Sequence, residues 1–130
     1  MKLPKKSILI VTFLIAFVLA YFVTSAIMAD PDLTNVKAEY TGRTTEFLDT
    51  IKENSKDWTD NQKVISLTGV ITMKEKKGVW LDDSAYFEFP EGVSIDDLAE
   101  GQKVAIKGSA KEYDAALKEI KLKYAVVVKQ

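Results

Sequence analysis

Val64-Ile65-Ser66-Leu67-Thr68-Gly69-Val70-Ile71-Thr72-Met73 decides the fold. From Lys63 onward the side chains follow a period of two and are rich in β-branched residues, as in a half-buried strand. Gly69 interrupts the run, and a glycine inside a strand marks a bulge or a sharp bend. Residues 74–78 make a charged turn. Val79-Trp80-Leu81 and Ala85-Tyr86-Phe87-Glu88-Phe89 then pair as a hairpin through Asp82-Asp83-Ser84. Val79, Leu81, Phe87 and Phe89 are expected to face inward, with Trp80, Tyr86 and Glu88 on the opposite face.

Pro90 ends that strand. Ser94-Ile95-Asp96-Asp97-Leu98-Ala99 begins with a capping residue and closes at Gly101, which predicts a short helix. A fourth strand spans 102–110 through Val104, Ile106 and Gly108, and a loop covers 111–116. The last strand, within 117–129, alternates through Ile120, Leu122, Tyr124, Val126 and Val128, with Lys118, Lys121, Lys123 and Lys129 outward or at its ends. Upstream, 44–56 reads as an amphipathic helix capped by Thr44. It places Phe47, Leu48 and Ile51 on one face and Asp49, Lys52 and Glu53 outward, a lid for the domain.

Three strands, a short helix and two more strands, with a bent first strand, is the order of a five-stranded Greek-key barrel of the oligonucleotide/oligosaccharide-binding (OB) type. The protein is therefore expected to be mainly β, with the OB-like domain over 44–130. The competing arrangement is an open antiparallel sheet backed by the first helix.

Residues 7–29 carry no charge. At 1.5 Å per residue such a helix spans about 34 Å, against a hydrocarbon core of about 30 Å. The run is longer than the apolar core of a secretory signal, so it reads as an uncleaved transmembrane anchor, with a removed signal as the other option. Lys2, Lys5 and Lys6 precede it and Asp30 and Asp32 follow it, which keeps residues 1–6 as a cytoplasmic basic tip and sends the domain outside the inner membrane. Residues 30–43 are polar, contain Pro31 and read as a tether. No cysteine follows the span, so a lipid-anchored lipoprotein is not expected.

Composition narrows the chemistry. The 130 residues include neither histidine nor cysteine. The commonest neutral-pH general base, the thiolate nucleophile and the usual zinc and haem ligands are therefore missing. No catalysis, metal or cofactor is expected. Removing the three leader lysines from the 18 basic residues leaves 15 against 19 acidic ones, a balance of −4 after residue 29. A polyanion-binding domain would normally show the opposite sign.

Several runs resemble the bacterial tRNA-anti-like group of OB-fold domains. They are Leu67-Thr68-Gly69-Val70-Ile71, Gly78-Val79-Trp80-Leu81-Asp82-Asp83, Leu98-Ala99-Glu100-Gly101-Gln102-Lys103-Val104-Ala105-Ile106-Lys107-Gly108 and Glu119-Ile120-Lys121-Leu122. Phe47 and Glu53-Asn54 of the preceding helix also fit, so the resemblance covers roughly residues 40–130. It implies the fold and an envelope location and transfers no catalytic residues.

Trp80 and Tyr86 are the first ligand candidates, because the second and third strands of an OB barrel present the face that receives extended ligands. Aromatic rings there stack on bases or sugars; the plainer reading is a cross-strand pair that stabilises the sheet. Lys107, Lys121 and Lys123 are weaker candidates for an anion, with Asp82, Asp83 and Glu88 expected nearby. Asp82 and Asp83 are too few oxygens for calcium and read as turn residues. The leading expectation is a membrane-anchored extracytoplasmic OB-type module that binds another envelope protein or an envelope ligand. Single-stranded nucleic-acid binding is the alternative, against which charge and location argue. Haem carriage is set aside because the histidine it needs is missing.

Overall fold

β2 (Val64–Lys74) touches three other strands, and that decides the architecture. A computed structural model describes residues 31–128. Val64 to Val70 pair antiparallel with β5 (Lys103–Asp114), and Ile71 to Lys74 pair with β3 (Gly78–Leu81). β3 pairs with β4 (Ala85–Glu88), β4 runs parallel to β6 (Glu119–Val127), and β6 returns antiparallel to β5. The order β2-β3-β4-β6-β5-β2 closes on itself, giving a five-stranded barrel of OB type rather than an open sheet. Closure removes most of the edges that so small a sheet would otherwise expose.

β2 changes partner after Val70, and its irregularity lies between Ile71 and Met73 rather than at Gly69, where the sequence places the bulge; Gly69 itself pairs regularly with Val104. Asp82, in the hairpin turn, donates its backbone N–H to the Val70 carbonyl at 2.9 Å and accepts the Val70 N–H on Oδ1 at 3.1 Å. A Cβ on Gly69 would collide with the Asp82 carboxylate and lie 3.0 Å from Thr44 Oγ1. Asp82 and Asp83 both take positive φ, 50° and 58°, so the aspartate pair is a turn device, as its sequence suggests.

The interior follows the alternation. Val79, Leu81, Phe87 and Phe89 from the hairpin meet Ile65, Leu67 and Ile71 of β2 and Ile106, Ile120 and Leu122 of the last two strands in one cluster. The expected 44–56 helix is two helices, α1 (Thr44–Ile51) and α2 (Ser55–Asp60). The break falls at residues 52–54, where Asn54 takes the non-helical φ of −147°; its side chain accepts the Trp58 indole N–H at 3.2 Å one turn into α2. Phe47, Ile51 and Trp58 join the core, and the Phe47 and Trp58 rings meet edge to face at 5.3 Å. Thr44 is not the cap. The chain passes straight into α1 from a short strand, β1 (Tyr40–Arg43), so Thr44 is the first helical residue and lies buried beside Gly69.

Three other expectations are corrected. Residues 94–99 form turns, not a helix: Leu98 bonds back to Ile95 and Gln102 to Ala99, each closing over three residues. The segment is too short to repay helix nucleation, and Ile95 and Leu98 are buried without it. The loop placed at 111–116 is largely strand, since β5 continues to Asp114, whose carboxylate accepts the N–H groups of Ala116 and Leu117. In β6 the alternation slips at Tyr124, where φ is 57°. Lys123 sits opposite Ser109 but Val126 opposite Lys107, so two residues of β6 face one of β5, as in a bulge. Ala125 is therefore buried at 2% exposure, while Val127 is 39% exposed.

The stretch read as a tether has structure of its own. Leu33 is buried, the Glu39 N–H bonds to the Val64 carbonyl, and β1 lies parallel to β2 from Tyr40 opposite Ile65. The basic tip and the membrane segment at 7–29 lie outside the described residues, among which no helix is long and apolar enough to cross a membrane.

Candidate functional site

The hairpin of β3 and β4 puts every second side chain on the outside, and its register sets Trp80 directly opposite Tyr86. Their ring centroids are 5.2 Å apart at an interplanar angle of 39°. Met73 of β2 sits opposite Trp80 and Lys121 of β6 opposite Tyr86, so one transverse row, Met73-Trp80-Tyr86-Lys121, crosses four strands. Gly78 makes the row possible. A Cβ there would collide with the Phe87 carbonyl and approach Tyr86 Cζ and its hydroxyl to 2.7 Å, so only glycine lets that ring lie over β3.

Beside the rings is a depression of about 320 Å³ lined by Glu75, Lys77, Glu88, Lys111, Lys121 and Leu122 as well as the two aromatics. Lys111 Nζ stands 3.8 Å from Glu88, and Lys77 stands 3.7 Å from Glu91 at the rim. Partial burial raises the Tyr86 phenol above its ordinary value of 10.0, and the carboxylates of Glu75 and Glu88 push it the same way. The phenol thus remains a neutral donor in the same depression as Glu75. The face offers two π surfaces, an exposed thioether, ammonium groups and two carboxylates. It can hold a flat ring and an anion side by side.

Of the five residues singled out from sequence, Trp80, Tyr86 and Lys121 are brought together here. Lys107 is not. Its ammonium donates to the carbonyls of Val36 at 2.7 Å and Leu33 at 3.3 Å, holding down the segment before β1. Lys123 also stands apart, with Nζ 4.9 Å over the Tyr124 ring and opposite Ser109. Sequence reasoning missed Met73, Glu75, Lys77 and Lys111. Lys111 was hidden by ending the fourth strand at residue 110; a strand running to Asp114 would have carried it onto the face.

Among the described residues no group of three or more carboxylates stands close enough to hold a metal ion. Thr44 Oγ1 and Trp80 Nε1 are shielded from solvent without a hydrogen-bond partner among the described residues. Thr44 is buried beside Gly69, and Trp80 lines the depression already described.

No family model matches the chain, and a search of curated proteins returns no match. Among solved structures, the chain is similar to the crystal structure of a "putative nucleic acid-binding lipoprotein" of Klebsiella pneumoniae. The TM-score is 0.54 and the identity 21%, over 68% of this chain and 91% of that one. The likeness concerns the fold, and it agrees with the OB-like barrel expected from the sequence. It also corrects one expectation. A net charge of −4 argued against nucleic acid as a partner, yet a protein of the same fold is named for that activity. Net charge sums over the whole surface, whereas Lys77, Lys111 and Lys121 are gathered around one aromatic pair.

Proposed function

We propose that this protein is an OB-type binding module that takes a short single-stranded nucleic-acid segment across β3 and β4, anchored to a membrane by residues 7–29 and performing no chemistry of its own. The observation that carries this reading is the transverse row Met73-Trp80-Tyr86-Lys121. Two outward aromatics stack on bases whatever their identity, at about 1–3 kcal/mol per base. Lys77, Lys111 and Lys121 beside them supply phosphate contacts. Affinity from such a set is sequence-tolerant and salt-dependent. The name of the Klebsiella protein supports the same reading. The sequence contains no cysteine and so no thiol to carry a lipid, which leaves the apolar run to supply the attachment. Kinship with the tRNA-anti-like group belongs to the same proposal and rests on the runs at 67–71, 78–83, 98–108 and 119–122.

Titration of the detergent-solubilised chain into labelled single-stranded oligonucleotides tests the proposal. Binding is expected at low salt, with log affinity falling against log salt at about −0.7 per phosphate contacted, so roughly −2 for three lysines. Failure to bind at a protein concentration of about 10⁻⁴ M at low salt would overturn it.

A further inference from the structure

The candidate face contains two carboxylates that a purely backbone-binding surface would not want. Glu75 and Glu88 line the same depression as Trp80, Tyr86 and the lysines. Neither is remote from the rings: both carboxylates line the same depression as Trp80 and Tyr86, and both act on the Tyr86 phenol. Glu88 is also held 3.8 Å from Lys111. A phosphate held by the lysines leaves the two carboxylates to be met by something else, and a base would meet them with its edge. The volume, about 320 Å³, is at the small end of ligand pockets and suits one ring system, not a length of backbone.

We infer that Glu75 and Glu88 make this face select bases that carry an exocyclic amino group. The inference rests on the single-strand reading and adds a preference to it. An ionised carboxylate only accepts hydrogen bonds. Cytosine offers an amino donor at N4 and adenine one at N6, while uracil and thymine offer a carbonyl acceptor at O4. A carbonyl set against a carboxylate leaves both without a donor and adds repulsion. The same stack on Trp80 and Tyr86 then costs nothing extra for cytosine and is penalised for uracil.

Equal-length oligo-dC and oligo-dU differ only on the base edge, an amino group at C4 and a bare N3 in cytosine against a carbonyl and an N3–H in uracil, so their affinities for the full chain in detergent at one salt concentration give the test. The expected result is tighter binding of oligo-dC by roughly five- to 150-fold, the span for one well-placed hydrogen-bonding pair. Glu75→Gln together with Glu88→Gln should bind both oligomers more tightly, because negative charge is lost, and should bring the ratio close to one. Glu75→Gln alone, which keeps the Lys111–Glu88 pair, should lower the ratio part of the way. Equal affinities in the parent protein, a preference for oligo-dU, or a ratio unchanged in both variants would overturn the selectivity and leave the single-strand reading standing. Binding of neither oligomer would overturn that reading and the selectivity with it.

Discussion

Gly78 is small enough to let the Tyr86 ring lie across its strand, and the candidate face exists because of that missing methyl group. An added Cβ would meet the Phe87 carbonyl, which is backbone held in the β3–β4 ladder and cannot swing away. Gly78→Ala is expected to destabilise the protein by about 1–3 kcal/mol, read as a lower urea midpoint. It should also weaken oligonucleotide binding by displacing Tyr86. A variant with parental stability would show that the ring does not depend on this close approach. Lys107 and Lys121 make a sharper pair. Lys107→Ala removes the donor from three backbone carbonyls, those of Leu33, Thr34 and Val36, and should cost about 1–3 kcal/mol of stability with oligonucleotide affinity intact. Lys121→Ala should do the reverse, losing affinity and about 0.7 of the log–log salt slope with the melting temperature unchanged. The sequence named both lysines because both lie on outward positions of late strands. It could not separate them, since what a four-carbon side chain reaches depends on which distant segment passes over it.

Elements were legible where local pattern alone decides them. The β3–β4 hairpin, with Trp80 and Tyr86 outward, follows from alternation, whereas the irregularity of β2 falls between Ile71 and Met73 and not at Gly69. Departures came where a tertiary contact overrides pattern. Tyr124 adopts positive φ and shifts β6 by one position, which no count of apolar residues reveals. α1 stops at Ile51, and Asn54 leaves helical geometry at φ −147° before α2 begins, its backbone N–H closing a turn onto the Ile51 carbonyl at 3.3 Å. α2 is fastened by one ion pair, Lys63 Nζ to Asp57 Oδ2 at 2.8 Å, with Glu39 3.5 Å away and the Trp58 ring 4.9 Å below. The hydrogen bond from Lys63 lowers the Asp57 carboxyl below its ordinary 3.8 and raises Lys63 above 10.5. A lowered carboxyl stabilises the fold above its unfolded value and loses that contribution as pH falls through the folded value; a raised lysine keeps its contribution below its unfolded value and loses it as pH rises through the folded one. Asp57→Asn should therefore melt below the parent protein at neutral pH, with the gap closing as pH drops beneath 3.8. A gap that stays constant into acid would mean the pair does not hold α2 down.

At the scale of the whole molecule, barrel closure explains how a cysteine-free domain of this size stands without staples. It also sets where function can sit. The interior is filled by side chains, so a ligand must bind on the outside, and the outer face of β3 and β4 is where aromatics, lysines and carboxylates converge. Strand order made the barrel readable in advance. Net charge was no ground for setting nucleic acid aside, because it sums over a surface on which Lys77, Lys111 and Lys121 gather in one place. Tryptophan emission has two sources, and they are physically distinct: Trp58 is buried against Phe47, while Trp80 stands in the candidate face. The most direct measurement is emission during titration with a single-stranded oligonucleotide. Stacking on Trp80 predicts saturable quenching that weakens as salt rises and disappears in Trp80→Phe. Oligonucleotide binding that leaves the emission of the parent protein unchanged would contradict the account, because the strand would then lie elsewhere.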